Sequence, residues 1–271
     1  MDAITIRCPR CRTGTFSIPK VDREGVVCPL CSAVFQVIDG VMDLLPDVPT
    51  HRSPAQTLME WGPLVRLYES RWWRRNFIFT ALLGISFSDE VHRIDEAARF
   101  SPESTMLDLA CGPGLYSRHF ARQVPLGKVI GLDLSAPMLA QAAQLARAEQ
   151  LENLHFLRAD AMQLPLVEAQ FDVVNCAAAL HLFPSPVKAL QEAYRVLKPG
   201  GRLTLAIVRR PSHALGRRVF QLGISLSGVH AFGDDELLAY LTSAGFTAVQ
   251  IALRAPLWAV LSAEKRIDGT G

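Results

Sequence analysis

The sequence lacks any run of about 18 consecutive apolar residues, the length at which a segment becomes a candidate for a membrane-spanning helix. Its charges nearly balance, because 28 Lys and Arg against 26 Asp and Glu leave a formal net charge of +2. That value falls short of the basic bias of an obligate nucleic-acid binder. The first residues, Met1 to Thr5, lack the basic and then apolar pattern of a secretory signal. We therefore expect a cytoplasmic globular protein with no membrane span, whose partner is a small molecule rather than a nucleic acid.

A disulfide framework is also not expected, because cysteines in a cytosolic chain more often serve metal binding or packing than cross-linking. The chain has six cysteines in 271 residues, and 49% of its residues are hydrophobic. That length suits one large domain and one small one. Nothing in the composition indicates an oligomeric state.

Four of the cysteines form two C-x-x-C pairs, Cys8 with Cys11 and Cys28 with Cys31, separated by 16 residues. Each pair can place two thiolates on one ion, so two pairs complete the tetrahedral shell that Zn²⁺ prefers. We predict a zinc ribbon over residues 1–48, in which residues 13–27 are long enough for a β-hairpin and residues 33–38 are strand-like. Four thiolates leave no open position for a substrate, which favours a structural zinc. The alternative is a set of unliganded thiols or a redox pair.

A strand, a glycine-bearing turn and a helix follow one another from Leu107 onwards, and a second apolar strand over 128–132 ends on Asp133. Gly112 and Gly114 carry no Cβ, so the backbone can come close to a ligand. Asp133 can accept two hydrogen bonds from a ribose diol. It lies about 20 residues after Gly114, the spacing of a nucleotide-binding βαβ unit. A tight structural turn would explain the glycines alone, but the acid at this distance favours a nucleotide site.

The acid at the head of the turn, Asp108, indicates which nucleotide binds. It would repel a pyrophosphate, whereas it suits a ligand with a cationic end, such as the amino group of a methionine moiety. The order Asp108-x-Ala110-x-Gly112-x-Gly114 resembles motif I of the class I S-adenosylmethionine (SAM) methyltransferases, with Ala110 in place of the usual first glycine.

The resemblance continues in order through residues 158–162, 171–180 and 196–203. It implies an α/β fold, a Rossmann-like seven-stranded methyltransferase sheet with a reversed last strand, over residues 101–271. It also implies SAM as the cofactor, with Asp160 accepting a hydrogen bond from the adenine amino group. The predicted cofactor-binding residues are Asp108, Ala110, Gly112, Gly114, Asp133, Leu134, Met138, Asp160, Ala161 and Asn175.

Residues 49–100 are predicted to form a linker and a helical substrate lid. Residues 61–79 join an amphipathic helical pattern to several arginines, and in the family that this chain resembles the N-terminal helices cover the cofactor pocket. The predicted substrate contacts are Tyr68, Arg71, Trp72, Arg75 and Phe183. The alternatives are a packing helix with solvated arginines and an RNA-binding strip.

Methyl transfer from a sulfonium needs alignment, a dry pocket and, for some acceptors, a base. His181 follows the predicted fourth strand, at the edge of the sheet where α/β folds bind ligands, and is the candidate base. His230 is the reserve candidate. The alternative for His181 is a loop histidine that only shapes the pocket.

The motifs resemble the branch that contains ubiquinone and menaquinone C-methyltransferases. The whole chain, including the ribbon, is similar to an uncharacterised plastid and bacterial group. We therefore expect methyl transfer from SAM to a small, largely apolar acceptor, with O-methylation of a phenol or enol favoured over C-methylation. The alternatives are a 23S rRNA guanine N-methyltransferase and a zinc-ribbon interaction protein with an inactive methyltransferase domain.

Overall fold

The computed structural model of the protein describes residues 3–18, 25–45, 84–211 and 230–267. Four of the predicted substrate contacts, Tyr68, Arg71, Trp72 and Arg75, lie outside these ranges. Of the helices within them, none has both the length and the apolar character needed to cross a membrane.

Strands and helices alternate along the larger, C-terminal part of the chain. The strands are β1 (Thr5–Arg7), β2 (Thr15–Ser17), β3 (Gly25–Val27), β4 (Val34–Ile38), β5 (Val41–Asp43), β6 (Thr105–Leu109), β7 (Lys128–Asp133), β8 (Leu154–Arg158), β9 (Phe171–Ala177), β10 (Leu197–Val208), β11 (Thr247–Arg254) and β12 (Trp258–Glu264). The helices are α1 (Phe87–Ala98), α2 (Leu115–Gln123), α3 (Ala136–Ala148), α4 (Pro186–Val196) and α5 (Asp234–Ser243), with a 3₁₀ turn at Leu180–Leu182.

The predicted methyltransferase sheet is present, with the strand order β8-β7-β6-β9-β10-β12-β11. Strands β6 to β10 run parallel to one another, and β12 lies antiparallel between β10 and β11. The expected reversal of the last strand is therefore confirmed, and the fold is a mixed α/β, Rossmann-like one.

The central strands are apolar on both faces because helices cover both sides of a parallel sheet. Leu107 and Ile130 belong to the buried cluster on one face, while their neighbours Met106 and Val129 belong to the cluster on the other. The N-cap of helix α3 is Ser135, whose side chain accepts a hydrogen bond from the Met138 amide. This N-cap satisfies one of the free amides of the first turn, and it fixes the start of the helix next to the end of β7.

Each cysteine pair lies in the turn of its own hairpin. Strands β1 and β2 flank the first pair and pair with each other, and β3 and β4 do the same for the second. The described strands β2 and β3, within residues 13–27, do not pair with each other, because each pairs across a cysteine turn instead. The strand predicted over 33–38 is confirmed as β4.

The ribbon extends the main sheet rather than standing apart from it. Strand β5 pairs antiparallel with β4 and parallel with β8, so the described sheet has ten strands instead of the seven expected. A second connection is made by β1, where the Thr5 amide donates a 2.6 Å hydrogen bond to Oε1 of Gln170. The predicted boundary near residue 48 stays a prediction, because the residues around it lie outside the description.

Candidate active site and metal centre

An open cavity, with about 1050 Å³ of empty space, lies at the carboxyl ends of the parallel strands. This is the edge of the sheet where open α/β folds bind ligands. The loops after β6, β7, β8 and β9 each supply part of its wall. The lining residues are Ala110, Cys111, Gly112, Pro113, Leu115, Tyr116, Leu132, Asp133, Leu134, Ser135, Met138, Ala159, Asp160, Ala161, Met162, Ala177, Ala178, Ala179, Leu182 and Phe183.

Asp133 holds together two loops of this wall. Its Oδ2 accepts a 2.8 Å hydrogen bond from the Gly112 amide, and its Oδ1 accepts a 2.9 Å hydrogen bond from the Ser135 amide. The carboxylate is therefore fixed between the glycine turn and the start of α3.

The glycine turn has a conformation that side chains rarely adopt. Ala110, Gly112 and Gly114 have φ values of 56°, 54° and 77°, all in the left-handed region. A Cβ on Gly114 would lie 3.0 Å from the Cβ of Ala142, so glycine is needed there for helix α2 to pack. Ala178, on the opposite wall, also has a positive φ of 58°. Left-handed conformations at non-glycine residues cost about 1–2 kcal/mol each and concentrate at functional sites.

Two of the predicted cofactor residues, Asp108 and Asn175, lie behind the cavity wall and not in it. They are register partners on β6 and β9, and both are almost completely buried. Oδ1 of Asp108 accepts a 2.8 Å hydrogen bond from the Asn175 amide, and Oδ2 accepts a 2.6 Å one from the Ser117 hydroxyl. Burial raises the pKa of Asp108 to about 6. Both side chains are therefore hydrogen-bonded within an internal network under the glycine turn, and their contact with the cofactor stays a prediction.

The other predicted residues are brought together at the cavity. Those in its wall are Ala110, Gly112, Asp133, Leu134, Met138, Asp160, Ala161 and Phe183. Gly114 does not line the cavity. It is the N-cap of α2, and its left-handed conformation and lack of a Cβ allow the start of α2 to pack against Ala142. The Asp160 carboxylate is held by the Met162 amide, which donates a 2.8 Å hydrogen bond to Oδ1.

Neither histidine proposed as a base has its ring in the cavity wall. The ring of His181 is buried against Trp258, with 6.2 Å between ring centroids, and its Nδ1 has no hydrogen-bond partner within the part of the chain that the structure describes. Burial lowers its pKa to about 4, with a further contribution from the charge of His230. Nε2 of His230 lies 2.7 Å from Oε1 of Glu236. The backbone amide of His230 donates a hydrogen bond to the His181 carbonyl. The geometry favours a pocket-shaping role for His181, because its neighbour Leu182 is the residue that lines the cavity.

Sequence reasoning did not find Tyr116 and Glu90. Tyr116 lies in the first turn of α2 and lines the cavity, and its hydroxyl donates a 2.5 Å hydrogen bond to Oε1 of the buried Glu90 on α1. The position of Tyr116, two residues after the last glycine, was a usable signal. Glu90 gave no signal, because an acid in the first turn of an amphipathic helix usually faces solvent.

The four ribbon cysteines form a metal-ligand cluster. Their Sγ atoms all lie within 4.8 Å of one another, with 3.7 Å between Cys8 and Cys31 and 3.9 Å between Cys11 and Cys28. A tetrahedral ion with metal–sulfur bonds of about 2.3 Å requires sulfur–sulfur distances of about 3.8 Å. The cluster therefore fits one tetrahedral ion.

Gly14 is a further part of the cluster that the sequence reasoning missed. A Cβ at this position would lie 2.5 Å from Sγ of Cys28, so any side chain would displace a ligand. The Gly14 amide donates to Sγ of Cys11, and this hydrogen bond, with that of Thr13, lowers the pKa of Cys11 to about 6. Burial instead raises the pKa of Cys8 to about 11, so an ion would have to displace its proton.

The sequence profile of the methyltransferase domain family matches residues 107–205. An uncharacterised chloroplastic methyltransferase of Arabidopsis thaliana is 30% identical over 241 residues, which cover 85% of this chain and 68% of that protein. The chain belongs to the SAM-dependent methyltransferases.

Bacterial demethylmenaquinone methyltransferases match part of the chain. The demethylmenaquinone methyltransferase of Lactococcus lactis is 39% identical over 119 residues, which are 44% of this chain and 47% of that enzyme. This methyltransferase thus spans about half the length of that relative.

Solved structures of low identity share its fold. Phosphoethanolamine N-methyltransferase 2 of Haemonchus contortus has a TM-score of 0.65 at 17% identity and covers 82% of this methyltransferase, which matches 61% of that chain. A SAM-dependent methyltransferase of Aquifex aeolicus has a TM-score of 0.58 at 19% identity, covering 75% of this chain and 97% of its own.

Proposed function

We propose that this methyltransferase transfers the methyl group of SAM to a small, largely apolar acceptor. The observation that carries the proposal is the wall after β9, where Ala177, Ala178, Ala179, Leu182 and Phe183 face the cavity. Such a wall offers little to a charged acceptor but can pack against a ring. Lid residues predicted from the sequence, among them Tyr68 and Trp72, would add aromatic surface.

The chain's own residues supply positioning in this scheme. Asp133 accepts from the ribose hydroxyls, and Asp160 accepts from the adenine amino group. The strained turn at Ala110 and Gly112 lets the backbone approach the methionine part of the cofactor, and Asp108 supports that turn from behind. SAM supplies the methyl group and the thioether leaving group of an in-line displacement, for which alignment and exclusion of water are the main contributions of a protein.

The acceptor atom is proposed to be the oxygen of a phenol or enol. C-methylation of a hydroquinone ring is the second candidate, and a specific finding favours it. The ubiquinone/menaquinone biosynthesis C-methyltransferase of a Ruegeria species is 40% identical over 119 residues. Both acceptors are phenol-like and both lose one proton for each methyl group gained, so the same cavity suits either.

We also propose that the ribbon binds one structural Zn²⁺ through Cys8, Cys11, Cys28 and Cys31. Support comes from the sulfur–sulfur distances and from the absence of a fifth, open position among four thiolates. The ribbon's strand β5 is hydrogen-bonded to β8, so the ion would stabilise the edge of the catalytic sheet. The cytoplasmic location expected from the sequence stays a prediction. The Arabidopsis thaliana relative is named as a chloroplastic protein.

The decisive experiment incubates the purified protein with methyl-labelled SAM and an extract of the source organism, and then fractionates the label. Label in the organic-extractable fraction supports the proposal, and mass spectrometry of that product separates O-methyl from C-methyl. Label in RNA would instead support the rRNA alternative. Asp133→Ala serves as the matched control, since it should abolish incorporation. Absence of label from every fraction, with SAM bound, would contradict the proposed acceptor class.

A further inference from the structure

Two buried ring nitrogens, Nδ1 of His181 and Nε1 of Trp258, have no hydrogen-bond partner among the residues that the structure describes. The two residues are 7% and 4% exposed, and their ring centroids are 6.2 Å apart. Buried polar groups in proteins are nearly always hydrogen-bonded, because leaving one without a partner is costly. Two such nitrogens on neighbouring rings therefore indicate a polar partner other than the described residues.

The two rings lie at the edge of the sheet where the cavity opens. His181 follows β9 and immediately precedes Leu182, which lines the cavity. Trp258 begins β12 and is the register partner of Val208, the last residue of β10. Strands β9 and β10 are parallel neighbours, so their carboxyl ends meet at this edge. The unpaired nitrogens therefore belong to the layer next to the apolar wall after β9, although neither ring lines the cavity itself.

The chemistry of the two rings restricts what this partner is. An indole N–H only donates, so the partner of Trp258 must offer an acceptor. A nitrogen of a neutral imidazole donates or accepts according to the tautomer. Burial lowers the pKa of His181 to about 4, with a smaller contribution from the charge of His230, so the imidazole is neutral at physiological pH. A hydroxyl oxygen both accepts and donates and suits either tautomer, whereas an ammonium group offers the indole no acceptor.

We propose that His181 and Trp258 form a binding site for one hydroxyl oxygen, which accepts a hydrogen bond from the indole N–H and pairs with Nδ1 of the imidazole. Two sources supply such an oxygen: an ordered water molecule, or the hydroxyl group of a phenol-like acceptor. The water source is independent of the proposed function. The acceptor source rests on it, and would let the site select a hydroxylated ring over a purely apolar one. Neither source requires His181 to act as a base.

The test observes both rings by nuclear magnetic resonance in the full chain, labelled with ¹⁵N in tryptophan and histidine. The sequence has four tryptophans, and Trp258→Phe identifies the indole signal by its loss, as His181→Phe does for the imidazole. In the protein alone, a rotating-frame cross-peak between the Trp258 indole proton and water, with a hydrogen-bonded ¹⁵N shift at Nδ1 of His181, identifies an ordered water. The rotating frame is used because it separates direct contact from proton exchange by sign.

Phenol is then added as the probe for an acceptor hydroxyl, and toluene is its matched control, because it has the same ring without the hydroxyl. If the acceptor is the source, both signals shift saturably with phenol and not with toluene. Phenol should then bind roughly threefold to tenfold more tightly than toluene, as expected for one hydrogen bond. His181→Phe and Trp258→Phe should each reduce this preference. His119 is the internal control, because its Nε2 already lies 2.8 Å from Oδ2 of Asp95; its signals should not respond.

The inference is overturned if the Trp258 indole shows no contact with water and both signals respond alike to phenol and toluene, or to neither. It is also overturned if only one of the two nitrogens is hydrogen-bonded, because the site requires both. If a variant fails to fold, contacts between the two neighbouring rings assign their signals in the wild-type protein. No methyl transfer is measured, so failure of this site is distinguishable from failure of the proposed function. A water contact that phenol does not change supports the site with water as its source.

Discussion

The amide of Asn175 donates a 2.8 Å hydrogen bond to Oδ1 of Asp108, and the two residues are direct partners on neighbouring parallel strands. The Thr204 hydroxyl in turn donates to Oδ1 of Asn175. This chain of three side chains crosses three strands within the sheet and ends on a carboxylate under the glycine turn. These hydrogen bonds hold the Asp108 carboxylate inside the apolar core. Its protonation therefore affects the free energy of unfolding.

The first prediction concerns Asp108 and pH. Its folded pKa is raised by burial from 3.8 to about 6, so between these values the folded protein binds more protons than the unfolded chain. Acidification through this window therefore stabilises the fold, by at most about 3 kcal/mol. Asp108→Asn should remove this gain and raise the free energy of unfolding at pH 8. Urea unfolding at pH 4, 5, 6.5 and 8 measures it, with the exposed Asp235→Asn as control.

The second prediction concerns His181, whose pKa is lowered by burial, whereas that of Asp108 is raised. Its folded pKa is lowered from 6.5 to about 4, mainly by burial, so the unfolded chain binds more protons in that window. Acidification from pH 6.5 to 4 should cost about 3 kcal/mol at this residue, which offsets the gain at Asp108. His181→Phe should therefore make the protein more stable at pH 4.5 relative to pH 7. An unchanged pH profile would show that this imidazole is not buried in its neutral form.

The third prediction tests the ribose assignment. Asp133→Ala should weaken SAM binding about 100-fold, because it removes the acceptor for the ligand and the bonds to Gly112 and Ser135. The fold should remain, since Asp133 lies at the end of its strand. Calorimetric titration with SAM, together with circular dichroism, separates the two effects. Wild-type affinity in the variant would refute the assignment.

The fourth prediction uses the strain at Ala110. Replacement by glycine relieves the left-handed conformation and should raise the free energy of unfolding by about 1 kcal/mol. Ala140→Gly, at an exposed position within α3, should lower it by about 1 kcal/mol. Opposite signs in urea unfolding would confirm the strain, whereas destabilisation by both variants would contradict it.

The fifth prediction concerns the ribbon metal. Cys8→Ser should reduce zinc content from one ion per chain to near zero and should lower the midpoint of thermal unfolding. Cys176→Ala is the control, because Cys176 is a buried cysteine on β9, outside the cluster, and should keep the ion. Elemental analysis of both purified variants measures the difference. A full zinc complement in Cys8→Ser would exclude the four-cysteine site.

Local patterns predicted the strand, the turn and the acid at Asp133, because these features are encoded within a short stretch of chain. The wall residues Leu134 and Met138 follow that acid, and Ala161 belongs to the separate motif at residues 158–162. What local patterns did not predict depends on long-range pairing. The spacing of the cysteines is equally compatible with either hairpin arrangement in the ribbon, and nothing near Val41 indicates that it joins the main sheet.

The site residues show the same division. Asp108 and Asn175 were identified as important, but only the register between β6 and β9 shows that their side chains bond to each other. Glu90 reaches Tyr116 only because α1 packs on the sheet, a tertiary contact between residues 26 positions apart. His181 was chosen for its place after β9, but the direction of its ring is decided by the contact with Trp258.

Because β5 of the ribbon pairs with β8, the backbone amides and carbonyls along that side of β8 are hydrogen-bonded. Without β5, β8 would be an edge strand with unpaired amides and carbonyls, which could pair with strands of other molecules and cause aggregation. An ion pair between Arg158 on β8 and Asp43 on β5 also joins these two strands. If the proposed Zn²⁺ holds the ribbon together, we expect its loss, by chelation or thiol oxidation, to expose this edge and to cause aggregation before it alters catalysis.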